Sequence, residues 1–371
     1  MKEFLKRYKV TLTALAPVFV GTSHTIGKKE WILDKENDVA VIPDELKLMK
    51  YLKKRNLLES FESFLLSDKK TLMFEWAVRN NIYPKDKDLI CKYSLSLNKV
   101  NIDNKDNEIY TFVKDGHGLP YLPGSTIKGA VRNILLSSFI SSENESEAVS
   151  GIRKGLTLKD RKRVKREERM LEQNCFNKRN LPETKENNNV NDIMSGIRFS
   201  DSLPLSFDDL IICRKIDVNT QNSRKRMPVL RECIKPGTVI QTEMTIDTAV
   251  VRNIINREYI EAAIGSFLEN YNREFLSKFD VGEQYSGQVI YLGGGSGYHT
   301  KTSTGSLLEN QKDRVELTSK IIEANLDYKV RMKHKHFNDK KTGVSPHVVK
   351  CTLYDNKLYQ FGPCRIEFEE I

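Results

Sequence analysis

Apolar and polar residues alternate over 8–15, the two-residue period of a strand, until the 17–21 segment around Pro17 and Gly21 interrupts it. Short strand patterns follow at 31–33 and 39–42. Over 45–66 the period changes: Leu46, Leu48, Met49, Leu57, Leu58, Phe61, Phe64 and Leu65 recur at helical spacing, which predicts a helix pair or one long amphipathic helix. A further helix is predicted after Leu122. Beyond Ser141 a basic run at 151–179 and an Asn-, Glu- and Lys-rich stretch at 183–191 predict a mobile or partly helical insert, about 142–192. Strand patterns return at 197–199, 211–216 and 239–246, and the polar tip between the last two predicts a long hairpin, about 213–238. A helix over 259–279, a strand over 286–292, a mostly helical 307–326 and terminal strands at 348–359 and 365–368 complete an α+β chain.

At 371 residues the chain exceeds the usual size of one core, so two domains are expected. Its formal charge of +10 favours a polyanionic partner, since cations concentrate it and contact releases counterions. No run approaches the roughly 20 apolar residues of a membrane span, and the N-terminus lacks a signal peptide's apolar core, so the expectation is a cytoplasmic protein with no membrane partner. Cys91, Cys175, Cys213, Cys233, Cys351 and Cys364 form no CxxC pair and are read as reduced thiols. His334 and His336 form an isolated HxH, which is read as a polar strand and not as a metal site, and no cofactor is expected.

The most informative segment is YLPGSTIKGAVRN at 121–133. Pro123 and Gly124 make a turn, Ser125 or Thr126 is placed to cap, and Ile127, Val131, Ile134 and Leu135 form the buried stripe of a helix. Lys128 and Arg132 stand one turn apart on another face. A phosphate at this helix start would meet free amides, the positive dipole end and a cation together. A capped helix with solvated cations explains the same residues. The LGGGSGYHTK run at 292–301 lets backbone approach an anion at Gly293, Gly294, Gly295 and Gly297, with Tyr298 to stack on a base and His299 and Lys301 to address phosphate or sugar. A tight strand-to-helix turn is the alternative, and the absent GK[ST] argues against a nucleotide loop. In the hairpin, Arg214, Lys215, Arg224, Lys225 and Arg226 lie beside Met227 and Pro228, as a nucleic-acid contact or a solvated tip. The run at 161–166 is followed by Glu167, Glu168 and Glu172, and reads as a solvated helix face of intrahelical ion pairs, with electrostatic attraction to RNA or a partner as the second reading.

PGSxxKGxxR closely resembles the signature of the RAMP superfamily, the repeat-associated RNA-binding proteins of CRISPR systems. The LAPVFVG run at 15–21 looks like the family's first strand and turn, RFSD at 198–201, beginning with Arg198, like its internal strand, and the glycine run like its glycine-rich loop. SPHVVK at 345–350 and FGPCR at 361–365 look like the tail of one subunit type, the one that caps the guide's 3′ end in the type III-A Csm complex. The resemblance implies two RRM-like, ferredoxin-like modules, over 1–250 and 251–371, with a thumb-like hairpin whose Met227 or Pro228 displaces a base. It also implies a non-catalytic subunit that binds crRNA and neighbours a backbone RAMP subunit and the small Csm subunit. Target RNA would be met indirectly, and host trimming nucleases are further possible partners.

The enzyme alternative is a metal-independent endoribonuclease that processes repeat RNA. It would draw its general acid and base from His299 with Tyr298 and Lys301, or from His24 beside Thr22 and Ser23. Asp34, Asp38 and Asp44 lie where backbone subunits carry a target-cleaving aspartate, but no spacing singles one out. A scaffold without RNA contact is the third reading.

Overall fold

The computed structural model describes residues 4–67, 72–100, 102, 108–140, 142–281 and 283–371. Its strands and helices run β1 (Leu5–Ala14), β2 (Gly21–Gly27), β3 (Ile32–Asp34), β4 (Val39–Pro43), α1 (Glu45–Lys54), α2 (Leu58–Leu66), α3 (Met73–Arg79), α4 (Lys87–Ile90), β5 (Cys91–Ser96), β6 (Glu108–Phe112), α5 (Gly124–Phe139), α6 (Ser142–Thr157), α7 (Arg161–Phe176), β7 (Ile197–Phe199), β8 (Leu210–Asn219), β9 (Arg224–Ile234), β10 (Val239–Asp247), α8 (Arg257–Glu274), β11 (Val289–Tyr291), α9 (Gln311–Asn325), α10 (Tyr328–His334), α11 (Asp339–Thr342), β12 (Val348–Tyr354), β13 (Lys357–Gln360) and β14 (Pro363–Glu370). This is a mixed α and β chain. No helix among the described residues is long and apolar enough to cross a membrane.

The alternation in β1 decides the first sheet. Tyr8, Val10, Leu12 and Ala14 point into the core, while Arg7 and Lys9 face out. β1 pairs antiparallel with β10 on one side and β14 on the other, within the order β11-β14-β1-β10-β7. The Ile127, Val131, Ile134 and Leu135 stripe of α5 is buried in the same core as Ile260, Ala263 and Ile264 of α8. The second sheet runs β2-β6-β9-β8-β5-β4-β3, with β12 on β8 and β13 on β12. Strands from both sides of the expected 250/251 boundary enter both sheets: β14 pairs with β1, and β12 pairs with β8.

Two expectations change, those for the hairpin and the HxH, while the 142–192 insert takes the partly helical of its two readings. The 142–192 insert is dominated by two sixteen-residue helices, α6 and α7, and Ile152, Val164, Leu171 and Phe176 seal them onto the central core. Those apolar residues are spaced widely among lysines and arginines, so composition hides a helical stripe. The hairpin is paired differently from the expectation, its two arms spanning 210–234. β8 pairs with β9, not with 239–246, and β10 crosses to the other sheet. Arg224, Lys225 and Arg226 therefore sit on a strand opposite Val218, Asp217 and Ile216, and β12 flanks the distal half of β8. Met227 and Pro228 follow at a register shift and are not at an apolar tip. The HxH is no strand: His334 ends α10, and Lys335 turns the chain with a left-handed φ of 54° before His336. All six cysteines are free thiols.

Candidate nucleic-acid interface

The α5 start is built for close packing. A Cβ at Gly124 would lie 2.2 Å from the Phe199 carbonyl oxygen and 2.6 Å from that of Ser200, so only glycine lets the helix begin against the end of β7. Its amide donates to Asp201 Oδ1 at 2.8 Å. Pro123 is the cap residue, and neither Ser125 nor Thr126 caps through its side chain. The expected cap thus comes from a carboxylate 77 residues away, which itself satisfies an amide assigned to an RNA phosphate.

The two signature cations part company. Arg132 donates to Glu172 at 2.6 Å, pairs with Asp192 at 2.8 Å and lies over the Phe176 ring at 4.2 Å, fastening α5 to α7 and the segment before β7. Lys128 makes no ion pair among the described residues. Partial burial lowers its pKa first, and nearby Arg132 and Arg198 add to the effect, against the pull of Asp192. Arg198 is exposed on β7.

The glycine-rich loop also meets protein. A Cβ at Gly293, where φ is 71°, would lie 2.0 Å from the Phe19 carbonyl oxygen, and the Gly294 amide donates to that oxygen at 2.6 Å. At Gly295, with φ 96°, a Cβ would come within 2.6 Å of Arg231 Nη1. Arg231 lies 4.7 Å from the Phe19 ring centre and 5.3 Å from that of Phe361, and it donates to the Gly294 carbonyl at 3.2 Å. The segment after Phe361 closes the junction, because Leu292 donates to the Gly362 carbonyl and Gly362 to that of Pro17. Three motifs far apart in sequence, around Phe19, Gly293 and Phe361, therefore converge, and Arg231 joins them. Sequence reading missed Arg231, which sits in an ordinary strand pattern.

Beyond Gly297, whose φ is 114°, the side chains divide. The hydroxyl of half-buried Tyr298 bonds Thr304 Oγ1 at 3.1 Å, and burial pushes its pKa up to about 12. His299 is half-buried, and its ring is held by protein partners. Its Nε2 is 2.7 Å from the Ser345 carbonyl oxygen, and its ring packs 4.8 Å from that of Phe275. Burial lowers its pKa to about 4, so it is neutral near pH 7. Lys301 alone of this set is exposed and free of ion pairs among the described residues.

The enzyme candidates find structural work. Asp34 is buried and accepts from Tyr83 Oη and from Asn37 Nδ2 at 2.7 Å; burial would raise its pKa, but these hydrogen bonds outweigh it and hold the carboxyl low. Asp38 accepts from Lys99 N at 2.8 Å, and Asp44 caps α1 through Lys47 N at 2.9 Å. His24 lies exposed on β2, where its backbone bonds the Thr22 and Thr111 hydroxyls.

The structure does bring the two motif regions together at their far ends. A cleft of about 420 Å³ opens between α5, α7 and the segment after the glycine loop. Arg132, Lys165, Arg169 and Lys301 line it with Glu168 and Glu172, and Asn133 Nδ2 donates to the Thr300 carbonyl at 3.4 Å. Lys165, Arg169 and Lys301 are exposed and make no ion pair among the described residues. Lys165 belongs to the run whose second reading is attraction to RNA or a partner, whereas nothing in the sequence singles out Arg169. A second basic edge lies on β9, where Arg224, Lys225 and Arg226 are exposed, and Lys215 and Lys350 share Asp217 at 3.5 and 3.1 Å.

Comparison with known proteins agrees with this architecture. The RAMP superfamily model matches residues 11–298. A Mycobacterium tuberculosis protein described as CRISPR system Cms protein Csm5 is 29% identical over 391 residues, covering 99% of this chain and 98% of its own. Its Streptococcus thermophilus counterpart is 30% identical over 316 residues, covering 81% of each. Among solved structures, a chain in the cryo-EM structure of a type III-A Csm–crRNA–target RNA ternary complex superposes with a TM-score of 0.66 at 18% identity, over 97% of this chain and 100% of that one. The crystal structure of T. onnurineus Csm5 gives 0.59 at 18% identity, over 96% and 99%. With the packed glycine motifs and near-complete coverage of these relatives, the chain belongs to the RAMP superfamily, among its Csm5 members.

Proposed function

We propose that this chain is a non-catalytic RNA-binding subunit of a cytoplasmic type III-A Csm ribonucleoprotein. It holds the 3′ region of crRNA, closes the end of the backbone filament and supports crRNA maturation in antiviral defence. The carrying observation is the cleft in which Lys165, Arg169 and Lys301, exposed and with no ion pair among the described residues, face one space that Glu168 and Glu172 also line. Exposed cations left unpaired beside a groove suit the phosphates of a single strand, which run past fixed positions with little demand on sequence. Lys128 and Arg198 extend the positive surface toward the α5 start, and Arg224, Lys225 and Arg226 offer a second contact. The frame β1, α5, β7, β10, α8, β14, in spatial order β14-β1-β10-β7, is read as one ferredoxin-like module. An adjacent backbone RAMP subunit and the small Csm subunit are the expected neighbours, with target RNA and trimming nucleases reached through the assembly.

Filter binding of single-stranded crRNA across a salt series tests this reading. Replacing Lys165, Arg169 and Lys301 together by alanine should flatten the slope of log K against log salt by about 2, since each lost contact removes about 0.7. An unchanged slope would remove the cleft from the RNA path. Incubation with labelled repeat RNA without metal tests the endoribonuclease alternative. Discrete cleavage that disappears in His299→Ala would overturn the non-catalytic assignment.

A further inference from the structure

His336, Asp339 and His347 come from three places, the turn after α10, the start of α11 and the loop before β12, and the fold closes them into one cluster. His336 Nδ1 lies 3.0 Å from Asp339 Oδ2, and His347 Nδ1 lies 2.6 Å from Asp339 Oδ1. One donor atom from each residue falls within 4.8 Å of the others. Asp339 has no exposed surface, His336 is 7% exposed, and the His347 side chain is 23% exposed. A carboxylate removed from water calls for a compensating charge. Among the described residues no lysine or arginine pairs with Asp339. Nearby Lys340 is turned to Glu316, at 2.7 Å.

We propose that His336, Asp339 and His347 form a binding site for a divalent transition metal, with zinc as the ion class that fits best. Two imidazole nitrogens and one carboxylate oxygen are donors that zinc accepts, whereas magnesium and calcium favour all-oxygen shells. Tetrahedral zinc holds such donors roughly 3.3 Å apart, given bond lengths of about 2.0–2.1 Å. The 2.6 and 3.0 Å separations would open by about 0.7 and 0.3 Å, and the donors, which lie within 4.8 Å of one another, would draw in by up to about 1.5 Å as the side chains turn onto the ion. The partly exposed His347 edge supplies the entry path and leaves a fourth position to water.

The ion would act as a fastener. The His336 carbonyl accepts from Ser319 Oγ of α9 at 2.7 Å, and Val348, directly after His347, pairs with Asn219 at the end of β8. Metal across His336 and His347 therefore ties the α9–α11 unit to the edge of the nine-stranded sheet beside the basic β9 strand. The inference is independent of the RNA reading.

Chelator-treated full-length protein titrated with Zn²⁺ against a chromophoric chelator, and with Co²⁺ followed by visible absorption, tests it. The expected result is one equivalent per chain, a cobalt spectrum of tetrahedral type and a higher melting temperature with metal. His347→Gln should weaken binding at least tenfold, His336→Gln with His347→Gln should abolish the equivalent, and His334→Gln should keep it. Wild-type protein that binds no more metal than the double variant, or variants that retain the full equivalent, would overturn the site. Should the double variant fail to fold, His347→Gln alone decides. Affinity for crRNA measured in parallel separates this result from the cleft's, since the cleft variants leave all three metal ligands intact.

Discussion

The Asp201 carboxylate accepts a hydrogen bond from the Gly124 amide at 2.8 Å, so the RFSD segment closes the start of the helix that carries the PGSxxKGxxR signature. The two motifs are partners in one packing unit. Asp201→Ala should lower stability by about 1 kcal/mol, the usual cost of losing a helix cap. Gly124→Ala should cost more, about 2–3 kcal/mol, because its methyl would run into the Phe199 and Ser200 carbonyls, which cannot move aside as a side chain can. Urea denaturation of both variants checks the ranking; equal stability of Gly124→Ala and wild type would refute the close approach.

Arg132 and Lys301 line the same cleft and should behave oppositely. Arg132 is committed to Glu172, Asp192 and the Phe176 ring, so Arg132→Ala should destabilise the chain by about 1–2 kcal/mol, a value held down by its partial exposure. Arg132→Lys should recover little, since an ammonium cannot fork between two carboxylates over a ring. Lys301→Ala should leave the urea midpoint unchanged and reduce RNA affinity with a flatter salt slope. The reverse assignment, stability lost at Lys301 and affinity at Arg132, would exchange their roles.

Local pattern made some of this legible and not the rest. The alternation of β1 and the Ile127, Val131, Ile134 and Leu135 stripe identified a strand and a helix, because burial on one face leaves a period in the sequence. The glycine runs correctly marked places where backbone must be approached closely. What approaches is invisible locally: at Gly293 it is the Phe19 carbonyl and at Gly295 the Arg231 guanidinium, both brought from other strands. The same limit hid Asp201 behind Gly124, the Glu172 and Asp192 partners of Arg132, and the Ser345 carbonyl beside His299. Strand β9 leaves little sign in the sequence because its first residues, Arg224, Lys225 and Arg226, are basic and exposed, so the pattern sets 211–216 against 239–246 whereas the fold pairs β8 with 224–234.

Acid should destabilise the fold through His299. Its folded pKa is lowered to about 4, with burial the largest cause and Arg314 adding to it, while the Ser345 carbonyl opposes the shift. The unfolded chain takes up this proton near pH 6.5 and the folded chain does so only near 4, so the contribution is full above about 6.5 and falls as pH drops toward 4. The loss amounts to about 3 kcal/mol across that window. Urea midpoints between pH 7 and 4 should show it, and His299→Gln should flatten that part of the profile. An identical profile in the variant would mean that other groups carry the acid sensitivity.

The Arg231 junction predicts coupling between distant motifs. The guanidinium lies between the Phe19 and Phe361 rings and holds the Gly294 carbonyl at 3.2 Å, in contact with all three converging segments. Burial is the main cause that lowers its pKa. Arg231→Ala should therefore destabilise by about 2–3 kcal/mol, through lost stacking and an unpaired carbonyl together. Phe361→Ala should cost about as much or more, as a fully buried ring. Because both substitutions remove the same contact, their effects should fall short of additive by about 0.5–1 kcal/mol in a double-mutant cycle. Hydrogen exchange should locate the loosening at 293–297 in either variant. Strict additivity, with exchange at the glycine loop unchanged, would show that Arg231 sits beside the junction without holding it.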